Sequence, residues 1–168
     1  MACHHVDVRP PVCFIAPPHV LARMIEEGTP EQRSAALRTI AASASMRTRR
    51  TLVTQLMGKL GIDVPALAAA PPGENLSVYD VRHGGRDALP GQKMRGEGDP
   101  PVADAAVNQA YDGADLTYRF YQDVLGRNSV DGNGLELTSS VHYSNQFENA
   151  FWDGNQMVYG DGGGQLFI

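Results

Sequence analysis

Cysteine is scarce in this chain: Cys3 and Cys13 are the only two in 168 residues. A disulfide scaffold needs more of them at regular spacing, so the fold must be held by a packed core. The same scarcity points to a reducing compartment, or to a protein indifferent to redox state. No apolar run approaches the roughly 18 residues of a membrane-spanning helix, so no membrane partner is expected. The opening residues include His4, His5, Asp7, Arg9 and Pro10 without an apolar stretch, so no signal peptide is visible. Cytoplasmic location and export by a non-classical route both stay open. Basic charge is short as well. Lys and Arg number 14 against 19 Asp and Glu, for a net charge of −5, and the one basic run, Arg47 to Arg50, is too short to bind nucleic acid by itself.

Catalytic signatures are missing too. The sequence has no His-Glu-x-x-His, and His19, His83 and His142 lack partners at the helical spacing of a metal site. There is no nucleophile elbow, no phosphate-binding loop and no dinucleotide fingerprint. No catalytic residue and no metal ligand is therefore assigned from the residues alone.

What is present is 42% apolar, with 18 Gly and 11 Pro, which suits one loop-rich domain or two small ones. Pro17-Pro18 stiffens the approach to a short helix with Val20, Leu21, Met24 and Ile25 as its apolar stripe and Gly28 as its stop. Thr29 is a good N-cap for a second helix, with Pro30 at its first position and Glu31 and Gln32 at the positive dipole end. Its buried face is expected to be Ala36, Leu37, Ile40 and Ala44. The apolar set Leu52, Val53, Leu56, Met57 and Leu60 continues the pattern to Gly61. Residues 62–75, rich in Pro, Ala and Gly, read as a linker and a site for proteolytic cutting.

The pattern then changes. Leu76–Val81 reads as a strand, and Gly84-Gly85 turns the chain into a second extended piece. Residues 102–125 form one long amphipathic helix through Ala103, Val107, Ala110, Ala114, Tyr118, Tyr121 and Leu125, stopped by Gly126. Gly113 inside it costs about 1 kcal/mol relative to Ala. Asp131-Gly132-Asn133-Gly134 is a strong turn ahead of a strand through Leu137 to Tyr143. The fold class is α+β. A helical segment (1–61) and a linker (62–75) precede a β-rich lobe (76–168) carrying one long amphipathic helix.

Several motifs have two readings. Gly160-Asp161-Gly162-Gly163-Gly164 resembles a phosphate cradle but lacks the Lys-Ser/Thr and the helix that should follow, so it is a turn. Asp131-Gly132-Asn133-Gly134 starts like a calcium loop but has no closing Glu, and a hairpin turn fits better. Cys3, His4, His5 and Cys13 offer soft and imidazole ligands. With Met1 removed, His4 would be the third residue, a geometry suited to copper or nickel. A terminus that binds stray metal is the plainer account.

The sharpest signal is Asn149-Ala150-Phe151-Trp152, followed by Asp153-Gly154-Asn155 and a run from Gln156 to Gly162. It reads as a hairpin whose aromatics are core residues. An amide side chain directly ahead of a small residue also suits an edge strand that pairs with an extended peptide, Asn offering both a donor and an acceptor.

The stretch NAFWDGNQMVYGDGGGQLFI resembles the thermolysin-like zinc metallopeptidases, at the edge of their substrate cleft just upstream of the zinc helix. VYDVRHGGRDALPG, NQAYDGADLTYRFYQDVLGRNSVDGNG and SSVHYSNQFENAFW follow the family in order, so that the likeness covers about residues 76–168. CFIAPPHVLARMIEEGTPEQRSAALRTI is similar to the short precursor segments of the protealysin-like branch, with Pro17, Pro18 and Leu21 as their Pro-Pro-x-x-Leu element. The resemblance implies the N-terminal part of a zymogen, secreted or cytoplasmic. Its propeptide would inhibit and chaperone the enzyme, and its lobe would hold peptide substrate through Asn149, Ala150, Phe151 and Trp152. It implies zinc and calcium in the full-length parent, a zinc-dependent metalloendopeptidase. The ligands and the general base would lie past Ile168, so this chain alone is expected to be inactive. Expected partners are a peptide substrate or the protein's own C-terminal catalytic lobe, with a second copy expected through exposed apolar surface. The alternative is a stand-alone, non-catalytic inhibitor or folding module for such a peptidase.

Overall fold

A computed structural model of the protein describes residues 15–60 and 75–165. The candidate metal residues Cys3, His4, His5 and Cys13, and nearly all of the expected linker 62–75, lie outside the described residues. Two helices come first, α1 (Pro18–Glu27) and α2 (Pro30–Leu60). Pro17 ends the extended approach to α1, and Pro18 takes the first helical turn, where a missing N–H costs nothing. Gly28 stops α1, though not in the left-handed form expected of such a glycine. Its backbone is extended, and glycine is needed there because a Cβ would lie 2.3 Å from the Met24 carbonyl oxygen. Thr29 caps α2 as expected, and Gln32 completes a reciprocal box. The Gln32 N–H donates to Thr29 Oγ1 at 3.3 Å, and the Thr29 N–H donates to Gln32 Oε1 at 2.9 Å. Ala16, Leu21 and Ala36 bury the seam between the two helices, backed by Met24, Ile25 and Ile40.

The expected inward face of α2 needs correction. Leu37 and Ala44 are exposed, and the buried stripe is Ala35, Ala36, Thr39 and Ser43. Small side chains win there because the stripe is pressed against α1, where Ala36 packs with Ala16 and Leu21, and against Glu148, whose N–H reaches Thr39. Leu52, Leu56 and Leu60 share one exposed face further along the helix.

The lobe is a mixed five-stranded sheet in the order β2-β1-β3-β5-β4. Its strands are β1 (Leu76–Asp80), β2 (Gln92–Gly96), β3 (Leu137–Val141), β4 (Ala150–Trp152) and β5 (Met157–Tyr159). β3 runs parallel to β1 and β5, whereas the β1–β2 and β4–β5 pairs are antiparallel. Both β1 and β3 stop short of the expected ends, because Arg82, His83 and His142 take positive φ and turn the chain out of the sheet. A third helix, α3 (Ala105–Arg119), runs on as a π-type turn over Phe120–Val124 and halts at Gly126, whose φ is +63°. Its start lies three residues after the expected one because Asp104 is the cap, accepting from the N–H groups of Ala106 and Val107.

Period-two alternation places different residues on the two sheet faces. Val78 and Val141 meet Val107 of α3 on one side. On the other, Val81, Tyr143, Phe147, Phe151 and Val158 cluster, with Ala42 of α2 packed against them. Three of these rings meet edge-to-face, with centroids 5.4 to 5.8 Å apart. No helix among the described residues is long and apolar enough to cross a membrane.

Candidate functional site

β4 is the outer strand of the described sheet, and an edge strand can take a further extended segment. The chain's own N-terminal residues meet it there. The Ile15 N–H donates to the Ala150 carbonyl at 3.1 Å, and the Ala16 N–H donates to Asn149 Oδ1 at 2.9 Å. That oxygen also accepts from the Ala150 N–H at 2.9 Å. Pro17 and Pro18 follow and have no N–H to give, so the chain leaves the edge there and turns into α1. The Pro17-Pro18 element thus fixes where the segment leaves the edge, and Leu21 anchors it in the α1–α2 seam.

A second contact lies one helix away. Thr39 Oγ1 accepts from the Glu148 N–H at 3.2 Å, and Arg38 donates to Gln146 Oε1 at 2.8 Å. A cleft of about 380 Å³ lined by Pro30, Ser34, Arg38, Gln146 and Gly163 runs along this junction.

The sequence-derived site residues come together on one strand but not on one face. Asn149 is 2% exposed, and its Nδ2 is buried with no hydrogen-bond partner among the described residues. Phe151 is 1% exposed and sits in the aromatic cluster. Trp152 points to the opposite face, where it lines a mostly apolar cavity of about 250 Å³ beside Gly113, Thr117 and Tyr159 of the α3 side. Beneath the edge, the segment 160–165 is tied to three successive residues. Gly160 and Gly162 donate to the carbonyls of Asn149 and Phe147 at 3.1 Å each, and Gly163 and Gln165 donate to the buried Glu148 carboxylate.

Glu148, Thr39 and Ala16 were not singled out from sequence. A charged residue between Phe147 and Asn149 in a buried run was the available signal for Glu148. Nothing local marks Thr39, whose partner is 109 positions away.

His142 occupies a further cluster. Its Nδ1 is 2.7 Å from Asp161 and its Nε2 2.8 Å from Asp104. Burial pulls its pKa down, but hydrogen bonds to the two carboxylates outweigh this and leave it above the ordinary 6.5. The bond to His142 holds Asp104 below the usual carboxylate range. The two carboxylates lie at opposite nitrogens of one ring, so their oxygens do not converge on a common point. Among the described residues no group of three or more His, Cys, Asp or Glu could hold a metal ion. The zinc and calcium implied by the resemblance have no ligand set among the described residues.

Fold and site together define an α+β lobe whose edge strand is covered by its own N-terminal helical segment. The chain belongs to the thermolysin metallopeptidase family: the model of the family's catalytic domain matches residues 73–168. An extracellular metalloprotease of Pectobacterium carotovorum subsp. carotovorum is 38% identical over 158 residues, covering 94% of this chain and 42% of that protein. Protease PrtS of a Photorhabdus species is 45% identical over 91 residues, 54% of this chain and 24% of its own length. The solved precursor of protealysin, a metalloproteinase from Serratia proteamaculans, superposes with a TM-score of 0.66 at 36% identity, over 90% of this chain and 39% of that one. The chain therefore spans about two fifths of the length of the relatives that match it from end to end.

Proposed function

We propose that Asn149 to Trp152 form the edge on which a metalloendopeptidase holds an extended peptide. We propose further that residues 15–60 are its propeptide, laid on that edge to keep it closed and to support the lobe as it folds. The observation that carries this reading is the pair of bonds from Ile15 to Ala150 and from Ala16 to Asn149. An extended segment donating main-chain hydrogen to an edge strand is the manner in which a peptide adds to a sheet. Asn149 and Ala150 supply the acceptors. Phe151 and Trp152 hold the strand from its two faces. The parent's zinc chemistry belongs to residues other than those described.

The alternative, a free-standing inhibitor or folding module, has less support because the N-terminal segment is already engaged on its own lobe. The test is Ile15→Pro, which removes the backbone N–H that bonds the Ala150 carbonyl, at a residue whose side chain is exposed. A fluorescent extended peptide should bind this variant more tightly than the unaltered chain. Equal binding to both, or none to either, would sink the reading. Slowing of a thermolysin-like peptidase by added chain at micromolar concentration would favour the inhibitor.

A further inference from the structure

His142 ends β3 in a left-handed conformation, with φ +56°, and its ring sits between two acids from distant parts of the chain. Asp104 comes from the start of α3, and Asp161 from the stretch after β5. His83, from the turn after β1, approaches the other Asp161 oxygen at 3.4 Å, and its ring centroid is 5.7 Å from that of His142. Among the described residues these are the titratable groups that face His142. Each carboxylate accepts, so both ring nitrogens must donate, and only the imidazolium carries two N–H groups. Deprotonation leaves one nitrogen lone pair facing a carboxylate, and one of the two bonds is lost.

Asp161 lies inside the segment that supports the start of β4. On either side of it, Gly160 bonds Asn149, Gly162 bonds Phe147, and Gly163 and Gln165 bond Glu148. Whatever holds Asp161 therefore holds the bed beneath the residues that receive Ile15 and Ala16.

We propose that His142 is a pH-operated clasp which, while charged, fixes the 160–165 segment under the Asn149–Ala150 edge and lets that edge loosen when it is neutral. The second half rests on the reading of that edge as a peptide-holding one. The direction follows from linkage. A histidine whose folded pKa is raised contributes stability that is fully present below its unfolded value and is lost as pH rises through the folded one. The Asp104 side is the mirror case, lost as pH falls through its lowered pKa. The clasp is thus strongest between the two and opens toward alkali.

The experiment is hydrogen exchange on the full chain from pH 6 to pH 9, read as protection factors so that the intrinsic base dependence cancels, with an NMR titration of His142. His142 should titrate above an ordinary histidine. Protection of Gly162, Gly163 and Gln165 should fall by roughly tenfold as it deprotonates, and protection of the Ile15 and Ala16 amides should fall with it. His142→Gln should show low protection at all pH values. If that variant misfolds, Asp161→Asn should lower the His142 pKa and flatten the response. Protection of 162–165 that ignores pH in the unaltered chain, or an unshifted His142, would overturn the clasp. A response confined to 162–165, with Ile15 and Ala16 indifferent, would overturn its reach to the edge. Asn149→Ala keeps the two readings apart, since it should unprotect Ala16 while the pH response of 162–165 persists.

Discussion

Ala16 donates its backbone N–H to the side-chain oxygen of Asn149 at 2.9 Å, joining residues 133 positions apart. The same oxygen accepts from Ala150, while the amide nitrogen of Asn149 stays buried and without a partner among the described residues. Ala16 thus satisfies the acceptor of this side chain. Buried donors of this kind are uncommon, and each bears a desolvation penalty.

Asn149→Ala removes an acceptor shared by two N–H groups and, with it, the orphaned donor. These partly cancel, so the stability loss should be small, about 1 kcal/mol. The Ala16 amide should nonetheless lose its protection in hydrogen exchange. Unchanged Ala16 protection would show that Asn149 does not hold the segment.

Thr39 and Ser43 lie one turn apart on the buried stripe of α2 and should respond with opposite signs. Thr39→Val leaves the buried Glu148 N–H without its acceptor, costing about 1–3 kcal/mol in urea unfolding. Ser43 Oγ has no partner among the described residues, so Ser43→Ala should be neutral or stabilising by up to about 1 kcal/mol. Equal losses at both sites would mean that the stripe acts through packing alone.

Gly160 has no room for a side chain: a Cβ there would lie 2.2 Å from the Phe147 carbonyl oxygen and 2.7 Å from its ring. Gly160→Ala should therefore lower the thermal midpoint sharply. Gly85, with nothing within 4 Å of an added Cβ, is the control, and Gly85→Ala should stay within about 0.5 kcal/mol of the unaltered chain.

Asp104 combines two tasks, capping α3 with one oxygen and facing His142 with the other. Asn is as good an N-cap as Asp, so Asp104→Asn should keep α3 helical by circular dichroism. It removes the charge partner, and the His142 pKa should fall toward the ordinary value in an NMR titration. Loss of helix with no change in the titration would reverse these assignments.

Leu52, Leu56 and Leu60 recur at four-residue steps on one exposed face of α2, and exposed apolar patches mark candidate association surfaces. Sedimentation equilibrium should show weak self-association, reduced by Leu56→Gln. A chain that is monomeric at every concentration would exclude this surface as an interface between copies.

What the sequence by itself determined lies mostly at the local level. Pro17-Pro18, Thr29-Pro30, Asp153-Gly154 and the three- and four-residue steps through Val107, Ala110 and Ala114 located helices and turns, because caps, turns and amphipathic stripes are set by neighbours along the chain. The hairpin around Asn149 and the family resemblance were legible in the same way. Tertiary structure decided what those elements face. Hydrophobicity favoured Leu37, but the packing of α2 against α1 and against Glu148 buried Ala35, Ala36, Thr39 and Ser43 instead. Phe151 and Trp152 are adjacent in sequence, and the pleat sends them to opposite faces. The closing of the edge by Ile15 and Ala16, and the placing of His142 between Asp104 and Asp161, depend on partners tens of positions apart. Only the packed sheet brings them within hydrogen-bonding distance, because hydrogen bonds act over about 3 Å and carry no trace of that distance in local composition.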